Sequence, residues 1–422
     1  MNIPLAKSEL MLFDRPSAQV SINSSKWVDI HPLNSVGENT APIEFNVNAS
    51  DDSYLDLNDT SLYVRFHVSP IDPSKPFAVN DVAPVNNILS SLFSDVELSL
   101  NNTVVEGGSF MYPYQSYLTN MLNYSRDVKK SNLKSSGFYI DEANKFDLKD
   151  NKGHCDRFLL ISKGTSVELM GPLNVSFLQQ AKYLLPKINM KLKLSRSKSD
   201  FILQNYGNKK ANIKIDECIL YIRQVKVNPI ILKSHEDGLK INNAVYPYQK
   251  LNVSNFTISK GASTESREIF VNSPTPKLLI ISLVSNSAFN GSLKKNPFNF
   301  KHFDLNFVGL YVNGESIPFP PIHMDVENDQ YIRAYTSMIQ NLEHFTRDES
   351  NGITPEEFIG GSTMFVFNLT PDLCYNGGQL YNNNNVRLDL KFKKPLDESI
   401  NVILYSIIDG CVEVTSDRKI IQ

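Results

Sequence analysis

The sequence predicts an all-β chain: two tandem eight-stranded antiparallel β-sandwiches with one short helix inserted in each. Three observations carry that expectation. Apolar and polar residues alternate with period two in segment after segment, long polar stretches separate those segments, and a set of phrases occurs twice in the same order.

The repeated phrases set the frame. One reads Tyr114, Tyr117, Met121, Tyr124, then Arg126-Asp127; the other reads Tyr335, Met338, Leu342, Phe345, then Arg347-Asp348, every member offset by 221 positions. The shared +3, +4, +3 spacing is that of one apolar helix face. These eight side chains are read as structural, packing a helix on a sheet, rather than as a cofactor box. Four further pairs keep the same order: Leu62 to Ser69 (LYVRFHVS) with Leu278 to Ser285 (LLIISLVS), Leu98 to Asn101 with Leu310 to Asn313, Met190 to Leu194 (MKLKL) with Val386 to Leu390 (VRLDL), and Ile219 to Tyr221 with Ile403 to Tyr405. Strands share a small vocabulary, so coincidence explains any one pair. Five in one order point to tandem duplication, with offsets that drift as loop insertions would make them.

Taken along the chain, residues 1–21 read as an N-terminal arm outside the sandwiches. Pro4 and Pro16 interrupt it, and Leu10, Met11, Leu12 and Phe13 form a short apolar run that would be an association liability in water. These four are the assembly-arm candidates. Residues 22–228 form the first sandwich. Val96, Leu98 and Leu100 alternate with polar neighbours, as do Ile188, Met190, Leu192 and Leu194, which predicts strands buried on one face. The stretches 71–81, 129–153, 195–210, 286–301 and 346–352 read as long loops. Tyr112-Pro113 starts the first helix, with Pro at its first position, and Asn328 or Asp329 caps the second. Each helix then follows the strand ending at Asn101 or Asn313. The seam falls near Val227-Asn228-Pro229, without a Gly/Ser-rich linker, so the halves are expected to pack rigidly. Residues 229–422 form the second sandwich, in which Val386, Leu388, Leu390 and Phe392 alternate and Asn382 to Asn385 read as a polar turn. Eight short strands per half, long connections and an inserted helix describe a jelly roll.

Composition narrows the function. With 422 residues, 41% hydrophobic, 21% charged and a formal net charge of −3, the chain has globular composition and no signal for binding nucleic acid directly. Its longest apolar runs, such as Leu278 to Val284, fall far short of the roughly 18 residues that span a bilayer. The first residues lack an apolar run behind a basic start, which predicts synthesis in the cytosol rather than secretion. Cys155, Cys218, Cys374 and Cys411 form no CxxC pair and are expected as buried free thiols. Asn-x-Ser/Thr triplets at Asn23, Asn48, Asn58, Asn252 and Asn368 are attributed to an asparagine-rich chain.

No chemistry emerges from the motifs. A duplicated cupin would need paired histidines converging on a metal, and the seven histidines never occur as HxH or HxxxH. His323-Met-Asp325 is the nearest approach, with no second histidine beside it. GxSxG, P-loop and GxGxxG patterns are missing, and Glu356-Glu357 reads as a solvated helix start. The expectation is no catalysis, no metal and no cofactor.

The first third carries a resemblance. LFDRPSAQ (12–19), WVDIHPLNS (27–35), PIEFNVNASDDSYLDLNDTSLYVRF (42–66), APVNNILSSLFSDVELSLNN (83–102) and YPYQSYLTNMLNYSRD (112–127) are similar to the hexon-type major capsid protein of Polinton/Maverick elements and adintoviruses. The likeness is dense from about Leu12 to Leu133 and looser beyond. It implies a double jelly roll, three chains forming a pseudo-hexameric capsomer, a penton or minor capsid protein as partner, and residence in the virion. The alternatives are a carbohydrate-binding or carbohydrate-active two-sandwich protein, and a domesticated cellular copy of the capsid fold.

Overall fold

The computed structural model describes residues 18–37, 41–48, 50–72, 77–207, 210–344, 348–379 and 382–422. Strands β1 (Ile22–Ile30), β2 (Ile43–Val47), β3 (Ser53–Pro70), β4 (Phe93–Leu100), β5 (Thr103–Glu106), β6 (Val167–Pro172), β7 (Met190–Arg196) and β8 (Ala211–Val227) build the first half. They pair as two sheets in the orders β1-β8-β3-β6 and β2-β7-β4-β5. The second half repeats the plan with β9 (Ala244–Ile258), β10 (Thr264–Pro274), β11 (Leu278–Ser285), β12 (Leu305–Val312), β13 (Glu315–Ser316), β14 (Met364–Asn368), β15 (Asn383–Phe392) and β16 (Ile400–Val414). Its sheets run β9-β16-β11-β14 and β10-β15-β12-β13, with the short strands Ile420–Ile421 and Ile322–His323 added at β16 and β12. Adding eight to each strand of the first half gives the second. This is a double jelly roll, and each phrase repeated as a strand falls in the same strand of its half: the third (β3 and β11), fourth (β4 and β12), seventh (β7 and β15) and eighth (β8 and β16).

Alternation works as the one-faced pattern requires. In β3, Leu62, Val64 and Phe66 are fully buried while Tyr63, Arg65 and His67 are half-exposed. Leu62 lies opposite Leu220 of β8, and Met190, Leu192 and Leu194 of β7 close the sandwich from the other sheet. Each such side chain contributes roughly 1.5–3 kcal/mol by leaving water. The matching strand β11 is buried at all eight positions. A continuous apolar run marks a strand covered on both faces, and its side chains share one buried cluster with Tyr114, Tyr117 and Leu118 of the first half.

Strand makes up 42% of the described residues and helix 20%. Helix α1 (Tyr112–Asn123) occupies the predicted slot, with Pro113 in its first turn. The 129–153 stretch, expected as loop, instead holds part of α2 (Arg126–Lys130), a 3₁₀ turn at Asn132–Ser136 and the start of α3 (Lys152–Ile161). Ser125 and Asn151 cap α2 and α3 through their side chains, a local signal that a polar composition hides. The seam residues end β8 and open α4 (Pro229–Leu239), capped by Asn228. Neither Asn328 nor Asp329 caps α5 (Ile332–Asn341). They lie in a 3₁₀ turn and a left-handed residue (φ 54°) just upstream, and Tyr331 stands at the cap. Asn383 to Asn385 belong to β15 rather than to a turn, because their side chains and backbones bond Asn313, Thr275 and Asn272 across the sheet end. All four cysteines are free, but Cys374 and Cys411 are exposed and only Cys218 is buried.

Candidate functional site

The described residues hold no group of His, Cys, Asp and Glu that could bind a metal. His323 packs edge-on against Phe307, and Asp325 is engaged by Asn328 and Lys393. Specific contacts concentrate instead at the seam between the two jelly rolls.

Helix α1 is the centre of that seam. Tyr112 to Asn120 are all buried, because the helix is covered by its own half on one side and by the second half on the other. Tyr117 stacks on Phe298 with ring centroids 4.2 Å apart and planes 9° from parallel. Tyr114 stacks on Phe289 at 5.5 Å and meets Phe298 edge-on. Thr119 Oγ1 lies 3.1 Å from the hydroxyl of Tyr405, on the outer face of β16. Beside it, the Glu106 carboxylate accepts from the backbone and hydroxyl of Ser176 and from the backbone of Phe177, and Ser176 Oγ accepts from Leu251 N on β9. Burial pushes the Glu106 carboxyl up.

Polar clasps flank the aromatic stack. Arg126 forks onto Glu357 of α6 (Pro355–Ile359) at 2.9 and 2.8 Å and donates to Gly352 O. Burial favours the neutral acid at Glu357, but the Arg126 hydrogen bonds outweigh it and hold the carboxyl below its ordinary range. The Lys129 ammonium donates to the carbonyls of Met121 and Asn351, and burial pushes it down to about 7. Arg157 and Asp141, both fully buried, pair at 2.9 Å, and Asn296 of the second half approaches the same carboxylate at 3.4 Å. Asp147 accepts from Asn296 N, Asn299 and Lys301. Gly361, at φ 130°, admits the Phe146 ring where a Cβ would sit 2.5 Å from it.

The helix-face residues divide between two settings. Tyr114 and Tyr117 are buried in the seam, with Met121 and Tyr124 half-buried beside them. In α5, Met338 is buried, as is Leu342 at its C-terminal cap, and Tyr335 is half-buried, its hydroxyl donating to Ile353 O. Helix α5 packs on the edge strand β14, with Asn341 donating to Val366 O. The two helices thus share a topological slot, but among the described residues α1 has a neighbour in the other half that α5 lacks. Phe345 lies outside the described residues, as do Leu10, Met11, Leu12 and Phe13. The sequence reading missed the outer face of β1 and β8, where Trp27 is 55% exposed beside Tyr221. The ILY repeat could have found it, since it pairs Tyr221 with the seam residue Tyr405.

The whole-chain fold is that of double jelly-roll capsid proteins. No family profile matches the chain. A chain in the structure of the Sputnik virophage superposes with a TM-score of 0.64 at 12% identity, covering 100% of this chain and 92% of that one. A chain of the PBCV-1 virus capsid gives 0.62 at 12%, covering 97% and 99%, and the mavirus major capsid protein gives 0.56 at 11%, covering 100% and 95%. At these identities the likeness is one of fold. In sequence, the chain is 26% identical over 392 residues to an uncharacterised protein of Caenorhabditis elegans, covering 90% of this chain and 92% of that one.

Proposed function

We propose that this protein is a structural, non-catalytic subunit: a hexon-type major capsid protein whose chains trimerise into pseudo-hexameric capsomers and build an icosahedral shell. The observation that carries the reading is the pair of identically ordered jelly rolls docked through a solid seam, in a chain that matches viral capsid proteins over its length. Three such chains supply six sandwiches around a three-fold axis and so tile a hexagonal lattice, while the non-identical halves let contacts differ by site. Residues 22–228 and 229–422 are the two jelly rolls in this reading, and residues 1–21 are an arm that joins neighbouring subunits. A penton or minor capsid protein would close the vertices, and the protein would reside in the virion after synthesis in the host cytosol. The resemblance in the first third favours a Polinton or adintovirus source. The full-length likeness to a nematode protein supports a second reading, a domesticated cellular copy that keeps the fold.

Mass photometry at nanomolar concentration tests the core of the proposal. A three-chain species that survives dilution is expected, since obligate interfaces commonly bury upwards of ~2,000 Å². Monomer alone would overturn it. Negative-stain images of shells, or of isolated capsomers only, would then separate the viral reading from the domesticated one.

A further inference from the structure

The seam inside the chain indicates how two chains meet. It is a head-to-tail contact: the helix of the first half lies on the outer face of the second half's β9-β16-β11-β14 sheet, through Thr119 and Tyr405. The duplication supplies both partners of that contact a second time, and among the described residues one copy is exposed, at Gln340, and the other half-buried, at Tyr221. Tyr221 matches Tyr405 in the ILY repeat, and Gln340 matches Thr119 in the helix repeat.

The uncovered sheet face is specific. Leu220 and Ile222 are fully buried inside the first sandwich, so Tyr221 between them points outward. It lies opposite Asp29, as Tyr405 lies opposite Val253. Two residues before each partner stand Trp27 and Leu251. Leu251 sits under the Ser176 turn of the first half, whereas Trp27 is 55% exposed. A tryptophan left this open on a sheet face is a residue type that anchors protein interfaces. The uncovered helix face is equally defined. Ala334, Ser337, Met338 and Asn341 of α5 are buried against their own half, while Ile332 (53% exposed) and Gln340 are exposed on the side away from it.

We infer that the Trp27–Tyr221 face receives the Ile332–Gln340 face of α5 from a second copy of this chain, repeating between chains the contact that α1 makes within one. This rests on the self-assembling reading above and names its surface. A heterologous contact of this kind continues until the rotation closes it. With two halves per chain and six places in the ring, closure comes at three chains.

Cysteine pairing tests the geometry. The double variant Tyr221→Cys/Gln340→Cys should oxidise to covalently closed trimers on a non-reducing gel, while each single variant and the wild type should not. Trp27→Ala and Ile332→Glu, each on a surface, should separately raise the trimer dissociation constant by roughly 30-fold or more, as hot-spot losses do, with the melting temperature of the chain unchanged. Trimers that persist in both surface variants and fail to cross-link would overturn this assignment and leave the capsomer proposal standing. A wild type that stays monomeric at micromolar concentration would remove both. Loss of glycan binding in Trp27→Ala, with the trimer intact, would give the face to a carbohydrate and overturn the inference.

Discussion

Replacing Tyr117 by alanine removes the centre of the seam. The side chain is 2% exposed and stacks on Phe298 at 4.2 Å, with Phe138 and Phe300 each at 5.9 Å. Truncating a buried aromatic typically costs about 3–5 kcal/mol, from lost transfer energy plus the cavity left behind. Each aromatic pair adds roughly 0.5–1.5 kcal/mol beyond the area it buries. The walls here are helix α1 on one side and the 298–300 segment on the other, belonging to different halves, so collapse onto the cavity requires the halves to shift. The upper part of the range, about 4–5 kcal/mol, is therefore expected. Urea denaturation followed by tryptophan fluorescence and by circular dichroism should show it, with the single Trp27 reporting the first half. The variant should also separate the two transitions, because the weakened seam no longer couples the sandwiches. A loss under about 1 kcal/mol with coincident transitions would refute the claim that this stack ties the halves together. Tyr114→Phe is the control in the opposite direction. The Tyr114 hydroxyl is buried without a partner, so its removal should leave stability unchanged or raise it by about 1 kcal/mol.

Three further outcomes follow from the clasps around the stack. Arg157→Ala should cost about 3–5 kcal/mol in the same denaturation assay, because it strands the fully buried Asp141 carboxylate. Lys129 has a folded pKa of about 7, below its unfolded value near 10.4, so folding expels its proton above pH 7. Its contribution should therefore rise between about pH 7 and 10 and be at its worst below 7; Lys129→Met should flatten that slope, and an unchanged slope in paired melting curves would exclude the lysine as its source. Glu357 is shifted the other way: its clasp with Arg126 is fully formed above the ordinary glutamate range and fades as pH falls through its lowered folded value, so Arg126→Ala should cost about 1–3 kcal/mol at pH 7 and progressively less below pH 4.

The fold was legible because its strands carry their environment in their spelling. MKLKL and VRLDL alternate, and Met190, Leu192, Leu194, Val386, Leu388 and Leu390 all point into sandwich cores. The duplication was legible because Ile219-Leu220-Tyr221 and Ile403-Leu404-Tyr405 occupy the same strand of each half. Helix was harder to see. The segment from Asn132 to Ile161 is polar at many positions, since it packs through isolated side chains such as Leu133, Phe138 and Phe158 and through the Asp141–Arg157 network rather than along a regular apolar stripe. The seam itself was half legible. The aromatic face of α1 reads as a helix on a sheet, but nothing local says that its rings meet Phe289, Phe298 and Phe300 across the duplication. That information lies in long-range packing, where a Tyr on one's own sheet and a Tyr on a neighbour's look alike.

The third strand of each half records how permanent its cover is. In β11, LLIISLVS is apolar at six of eight positions and buried at all eight, within the cluster that also takes in the aromatics of α1. In β3, LYVRFHVS keeps Tyr63, Arg65 and His67 outward, with Arg65 between Glu217 and Glu168 across the strands. A face that is always covered can be made of Leu and Ile, because water never sees it. A face that must stay soluble while the chain folds alone, and is covered only on assembly, needs charges around a few aromatic anchors, which is the composition of interfaces between separately folded partners. Trp27 and Tyr221 amid Asp29, Arg223 and Glu217 have that composition. On the proposed assembly, the duplicated halves diverge where their neighbours differ: the second toward a sealed contact inside one chain, the first toward a surface that a second copy covers.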